Sequence, residues 1–356
     1  MRVTAFTRYS RQAASTRQRV LQYLPRLLEA GIEVEHHALL DDDYVRSLAT
    51  GAPYPKARVA HGYLDRIRQL IDSRESDVIW IYVELFPYLP ALIERLSTIG
   101  KPIIYDMDDA FFHRYDDSAN PIIRGLFGGK HGVLLSQAAA CTCGNEYLRG
   151  FADRYCPNCI VVPTVVDTDI YRPVDREPTK STVIGWIGSP TTWPNVRPLL
   201  PLLRQLCSGG EAVFRVVGAG PGSVPDRFPG LQLVDWSEET EVAEVQRMDI
   251  GIMPLADSPF ERGKSGYKLI QYMACGLPVV ASPVGVNRTI VADGVNGFLA
   301  TSEAEWRQSL TRLIFDRELR CRMGAEGRQR VETSYSLASQ APRLVDLFQT
   351  VVAAAR

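Results

Sequence analysis

The sequence predicts two tandem α/β domains, each a parallel sheet with helices on both faces. Three observations predict it. Short, almost wholly apolar runs alternate with amphipathic stretches along the chain, as in consecutive βαβ units. The alternation lapses once, over VVDTDIYRPVDREPTK (Val165–Lys180), a Pro- and Asp-rich connector. The chain has 356 residues, more than one hydrophobic core usually supports.

In the first half, Arg2–Phe6 reads as a strand. Arg17–Ala30 reads as a helix with Val20, Leu21, Leu24, Leu27 and Leu28 on one side, ended by Gly31. Ile32–His36, Asp77–Val83, Pro102–Tyr105, Ala138–Cys143 and Ile160–Pro163 are the further strands. The second half repeats the pattern with Thr182–Ile187, Ala212–Gly218, Leu231–Val234, Ile250–Pro254 and Val279–Ala281. Leu337–Ala354 forms a last amphipathic helix expected to pack on the first domain. The expected boundaries are 1–165, a linker over 166–180, 181–335 and the helix 336–356, with a cleft between the carboxyl ends of the two sheets.

Composition narrows the function classes. Hydrophobic residues make up 46% and charged residues 23%, ordinary for a soluble globular protein. Forty basic against forty-one acidic residues give no field for nucleic acid. No apolar run reaches membrane-spanning length, and the charged start MRVTAFTRYSR lacks a secretory pattern, so a cytoplasmic location is expected. Cys141, Cys143, Cys156 and Cys159 form a CxC and a CxxC, the number of ligands a zinc site needs. Their placement beside apolar strands reads instead as buried structural thiols.

The densest signal is GKSGYKLIQYMACGLPVVAS (Gly263–Ser282). Gly266 frees the backbone at a helix entrance, and Leu269, Ile270, Met273 and Ala274 form the apolar face. Gly276 and Pro278 end the helix before a buried strand. Backbone N–H groups over Ser265, Gly266, Tyr267 and Lys268, with Lys264 and Lys268 beside them, make an anion site suited to a diphosphate. VVGAGPG (Val216–Gly222) could suggest a dinucleotide site, but no acidic ribose binder follows it, so a strand-to-loop turn is the better reading.

With GKSGYKLIQYMACGLPVVASPVGVN, VIGWIGSPTTW, GNEYL, VVPTVVDTDIYRP and DMDDAFF in this order, the chain resembles a family 4 glycosyltransferase of the two-Rossmann (GT-B) class. That family carries two glutamates around this segment, the first contacting the donor sugar and the second the nucleotide ribose. The second position falls on Gln271. The first falls on Gly263, which leaves Glu261 as its substitute. The Arg–Lys pair that grips the diphosphate in the family is absent from Gly188–Asn195. Gly188, Ser189, Thr191 and Thr192 are left as neutral donors there, with Lys264 and Lys268 supplying charge. Trp236 and Ser237 fall where similar enzymes contact the base.

On the acceptor side, Asp106, Asp108 and Asp109 crowd a strand end, where repulsion among carboxylates is tolerated mainly for function or solvent. They read as residues near the transferred sugar; the alternatives are a metal-binding DxD, or helix caps for a helix starting at Ala110. Arg8, Arg11, Arg17 and Arg19 follow the first strand and suit an anionic acceptor; Ser15 and Thr16 can cap the helix, and Ser15 and His113 are further acceptor-side residues.

The resemblance implies retaining transfer from a nucleotide diphosphate sugar to a saccharide, lipid-linked or small-molecule acceptor. It implies no metal and no cofactor. A lipid-linked acceptor would bring the protein to the inner membrane face. A nucleotide-sugar 2-epimerase and a non-catalytic nucleotide-sugar-binding subunit are the alternatives.

Overall fold

In the computed structural model each half of the chain builds a six-stranded, all-parallel sheet. Residues 1–98, 100–175, 180–224 and 227–355 are described; part of the expected connector, 176–179, lies outside them. One compact unit comprises Met1–Thr164, Arg262–Ser265 and Gln340–Arg356, and the other Val165–Glu261 and Gly266–Ser339.

The first unit contains β1 (Arg2–Tyr9), β2 (Glu33–Leu40), β3 (Val78–Tyr82), β4 (Ile103–Met107), β5 (Ala140–Cys143) and β6 (Cys159–Val161). Their order is β2-β1-β3-β4-β5-β6, so the direction of winding reverses between β1 and β3. Every residue of β3, β4 and β5 is buried, which is why β3 is continuously apolar rather than alternating; the polar residues of the other two, Asp106 and Thr142, are buried against each other. Ile79 and Ile81 enter one core with Phe6, Tyr105 and Leu148. Trp80 faces the other way and meets Phe348 of the helix Leu337–Ala355 edge to face, ring centroids 5.3 Å apart.

Two helical expectations need correction here. The helix expected over Arg17–Ala30 is two short α-helices, Ala14–Arg19 and Leu24–Glu29, joined by a 3-10 turn at Leu21–Tyr23. Pro25, in the first turn of the second, has no N–H to give a preceding carbonyl, which costs a continuous helix one bond and favours a new start there. Ser15 and Thr16 do not cap: the helix starts at Ala14, and Thr16 Oγ1 donates to the Tyr9 carbonyl at 2.7 Å.

The second unit contains β7 (Thr182–Ile187), β8 (Ala212–Val217), β9 (Leu231–Val234), β10 (Ile250–Met253), β11 (Val279–Ala281) and β12 (Gly297–Leu299). β12 is not anticipated from the sequence because Gly-Phe-Leu is too short a run to stand out. The order β12-β11-β10-β7-β8-β9 places the reversal between β7 and β10. Ile184 and Trp186 enter one core while Val183 and Ile187 enter another, successive residues pointing to opposite faces. The connector is packed rather than loose where it is described. Val166 and Tyr171 are buried, and Arg328 donates to the carbonyls of Ala274 (2.7 Å) and Thr168 (3.0 Å) and to that of Tyr171.

Among the described residues, no helix is long and apolar enough to cross a membrane.

Candidate active site

In open parallel sheets ligands bind beyond the carboxyl ends of the strands where the winding reverses. In the second unit that point lies past β7 and β10, and most of the expected donor residues gather there.

β7 is followed by Gly188, whose N–H donates to the Val217 carbonyl at 3.0 Å. A Cβ at Gly188 would sit 2.8 Å from Lys268 Cε, so the lysine stem lies across the glycine; its Nζ stands 5.6 Å from the centre of the Trp186 ring. The loop that follows is knitted by its own hydroxyls. Ser189 and Thr191 are 2.9 Å apart, and Thr192 Oγ1 meets both the N–H and the carbonyl of Ser189. Asn195 fastens this loop to the one after β10. Its Oδ1 accepts from Ala256 N at 3.1 Å, and its Nδ2 donates to Glu261 Oε1 at 3.4 Å. Glu261 Oε2 is buried and has no hydrogen-bond partner among the described residues.

The helix Tyr267–Ala274 begins beside this point. Its N-cap, Gly266, has φ 69°, and a Cβ there would lie 2.3 Å from Ile290 Cδ1. Both the left-handed backbone and the close approach require glycine. Intrahelical bonding starts with Leu269 N to the Gly266 carbonyl at 2.9 Å, one turn after the cap. The positive end of the helix dipole therefore faces the loops after β7 and β10.

Gln271 lies one turn into the helix and is 3% exposed. Its Nε2 donates to Glu241 Oε1 at 2.8 Å and to Tyr171 Oη at 3.0 Å. Glu241 Oε1 also accepts from the Tyr171 hydroxyl, and Oε2 accepts from Trp236 Nε1 at 2.7 Å. Burial, with the Glu241 charge next, raises the Tyr171 phenol well above its ordinary pKa, so it keeps its proton and donates. The expected base-site residue Trp236 and the ribose residue Gln271 are thus joined through Glu241. Sequence reading missed Glu241 and Tyr171, which sit in an ordinary charged helix and in the connector. Ser237 Oγ lies 2.9 Å from Thr240 Oγ1, at the start of the helix that carries Glu241.

Lys264 and Ser265 belong to the first unit. Lys264 Nζ pairs with Asp109 Oδ2 at 2.9 Å. Asn145 Nδ2 donates to the carbonyls of Gly263 (3.0 Å) and Lys264 (3.1 Å). A Cβ at Gly263 would stand 2.4 Å from Ala110 Cβ and 2.9 Å from its backbone N, so the family's first glutamate has no room there.

The three aspartates of the first unit have three different fates. Asp106, 1% exposed, is held by Arg19 on both carboxylate oxygens and also accepts from Thr142. Asp108 accepts from the Tyr82 hydroxyl, against which Ser15 lies. Burial and then the charge of Asp109 push the Asp108 carboxyl up to about 7. Asp109 takes Lys264. Neither Asp108 nor Asp109 caps a helix: the next one begins only at His113, and its N-cap makes no side-chain bond.

Arg19 is consumed by Asp106 and by the Val162 carbonyl at 2.7 Å, and so is closed to an anionic acceptor. Arg17 donates to the carbonyls of Arg11 and Gln12, bracing its own loop; Arg11 is exposed, and Arg8 stacks over Tyr9 at 5.3 Å. His113 bridges Asp116 and Tyr147, both at 2.9 Å.

At the reversal point of the first unit, Lys130 Nζ is buried between Glu84 (2.7 Å) and Glu94 (2.8 Å). Val83, immediately before Glu84, has φ 65°, a strained value for a β-branched residue.

The four clustered cysteines are buried in the first core, with Cys141 and Cys143 Sγ 3.7 Å apart. Among the described residues no group of three or more His, Cys, Asp or Glu side chains is arranged to hold a metal ion.

Comparison with known proteins bears on family and fold. Residues 181–316 match the family described as Glycosyl transferases group 1. The D-inositol 3-phosphate glycosyltransferase of Stackebrandtia nassauensis is 38% identical over 247 residues, covering 59% of this chain and 53% of that protein. The chain thus spans about half the length, or less, of the curated relatives it matches. The fold is shared across whole chains with solved glycosyltransferase structures. Sucrose-phosphate synthase of Thermosynechococcus elongatus superposes with TM-score 0.75 at 14% identity, over 99% of each chain. Anabaena HepE, solved in complex with UDP and glucose, superposes with TM-score 0.72 at 13% identity, over 98% of this chain and 100% of that one.

Proposed function

We propose that this chain, a group 1 glycosyltransferase by its residues 181–316, transfers a glycosyl group from a nucleotide diphosphate sugar to a saccharide, lipid-linked or small-molecule acceptor with retention at the anomeric carbon. The observation that carries the reading is the convergence past β7 and β10: a glycine-lined loop, a helix N-terminus, Lys268 and the unpartnered oxygen of Glu261 meet at one reversal point.

In this reading the diphosphate lies against Gly188–Thr192 and the amides of Gly266–Lys268, with the Lys268 ammonium supplying charge. Donors fixed in advance stabilise the negative charge that grows on the leaving phosphate, with no cofactor invoked. Glu261 offers its free carboxylate oxygen to a hydroxyl of the donor sugar, and Gln271 meets the ribose. The bond from the anomeric carbon to the phosphate oxygen breaks, the acceptor oxygen bonds the same carbon, and the acceptor's proton passes to the departing phosphate. The first unit takes the acceptor. UDP is the nucleotide to try first, because HepE is solved with it.

A lipid-linked acceptor would bring the protein to a membrane surface. Ile122 (69% exposed) and Leu126 (68%), four residues apart on the helix Pro121–Phe127, fit contact with such a surface.

Incubation with radiolabelled nucleotide sugars and a panel of acceptors tests the proposal. Transfer, or slow hydrolysis without acceptor, supports it. Isomerisation of the donor would make the chain a 2-epimerase, and binding without turnover a non-catalytic subunit; either overturns it.

A further inference from the structure

We infer that Glu241 is a positioning residue: it locks the Gln271 amide so that Oε1, rather than the N–H2, is presented to the ribose of the bound nucleotide. The inference rests on the proposed contact between Gln271 and the ribose.

The argument is one of hydrogen-bond valence. An ionised carboxylate only accepts, so the group that faces Glu241 must donate. The Gln271 amide has two N–H donors, and both are used: one on Glu241 Oε1 at 2.8 Å, the other on Tyr171 Oη at 3.0 Å. Tyr171 gives its own proton to Glu241 and has a lone pair left for the amide. Glu241 Oε2 is occupied by Trp236 Nε1 at 2.7 Å, which holds the carboxylate in place. With the nitrogen committed, the amide oxygen has to point away from Glu241, and among the described residues it accepts no hydrogen bond. The negative charge lacking at position 271 thus stands one residue behind it. Two polar side chains, one orienting the other, provide the acceptor.

The test uses the whole protein, with UDP and its 2′-fluoro- and 3′-fluoro-deoxy analogues as probes in titration calorimetry. A C–F group cannot donate, so an acceptor oxygen rejects it, whereas an N–H tolerates it. Wild type should bind UDP about tenfold more tightly than at least one fluoro analogue, one hydrogen bond in size.

In Glu241→Gln, the new amide must turn its oxygen to Trp236 and its N–H2 towards Gln271. The 271 amide then flips, and the ratio should fall to within about threefold. The swap Glu241→Gln with Gln271→Glu pairs every donor with an acceptor again and should restore about tenfold or more. A role in stability alone would weaken all three probes equally and leave the ratio where it was. A wild-type ratio retained in Glu241→Gln overturns the inference, as does a swap variant with a ratio near one. If Glu241→Gln does not fold, Glu241→Met, which removes the acceptor that commits the 271 amide nitrogen, is read by the criterion set for Glu241→Gln. Gln271→Leu separates the premise from the inference. Loss of the ratio there upholds the ribose contact, so that a failure of the Glu241 variants counts against the positioning alone. A ratio unchanged in Gln271→Leu removes the ribose contact and the inference together.

Discussion

Replacing Arg19 by Met should unfold the first unit far more readily while leaving its shape nearly unchanged. The guanidinium makes two contacts to Asp106, Nε to Oδ2 at 2.9 Å and Nη2 to Oδ1, and a third to the Val162 carbonyl at 2.7 Å. The Arg19 and Asp106 side chains are 2% and 1% exposed, so water replaces none of these bonds. Met keeps most of the aliphatic stem but strands the Asp106 side chain and the Val162 carbonyl in the interior without their partner. Breaking a buried pair by removing one partner costs about 3–5 kcal/mol. For a unit of this size that is a fall in Tm of roughly 6–20 °C.

Urea and thermal denaturation followed by circular dichroism read the loss. The paired variant Arg19→Met with Asp106→Leu removes both charges and should recover most of it, since a buried pair is worth little against an apolar isostere. A loss below about 1 kcal/mol in Arg19→Met, or a paired variant no better than the single one, would refute the structural assignment of Asp106. It would return that carboxylate to the candidates for chemistry.

The carboxyl of Asp108, raised from 3.8 to about 7, keeps its proton in the folded state over a pH range where the unfolded chain has released it. The wild type should therefore lose stability relative to Asp108→Asn as pH rises from about 4 to about 7. Parallel pH–melting curves for the two proteins would argue against the shift. Gly263→Glu, which restores the family's carboxylate, should cost about 1–3 kcal/mol by forcing side-chain atoms against Ala110, with no gain in turnover. An unchanged melt would mean the segment yields. Lys268→Met should weaken UDP by roughly tenfold, about 1.4 kcal/mol, and uridine little, because its charge is assigned to the diphosphate. Equal weakening of both in calorimetry would show a packing role through Trp186. Ile122→Ser with Leu126→Ser should reduce co-sedimentation with phosphatidylglycerol vesicles; unchanged pelleting would remove that helix from the membrane face.

The strands are readable because a strand buried on both faces is mostly apolar along its length, as VIWIY, VIGWI and IGIM are. The helix at Tyr267–Ala274 was readable for a local reason too. A glycine at positive φ before it and Gly276 at φ 74° after it are backbone requirements that only one residue type meets without strain. The break between the two short helices around Val20 leaves no mark in the apolar spacing, which runs on past Pro25.

The aspartate cluster could not be resolved from its own letters. Asp106, Asp108 and Asp109 look alike in the sequence, and their roles are set by Arg19, Tyr82 and Lys264, each brought in from another element. Asn195 and Glu241 were illegible for the same reason. One bridges two loops and the other orients an amide, and neither pattern leaves a mark in a local motif.

The sequence by itself determined the two parallel sheets and the glycine-opened helix, because burial and backbone freedom act over a few neighbouring residues. Only the tertiary structure decided which carboxylates are paired, which lysine lies at the β7–β10 reversal, and why Gly263 has no room for a side chain. Those outcomes depend on hydrogen-bond valence and excluded volume between residues far apart in the chain, and both are fixed only when the elements pack.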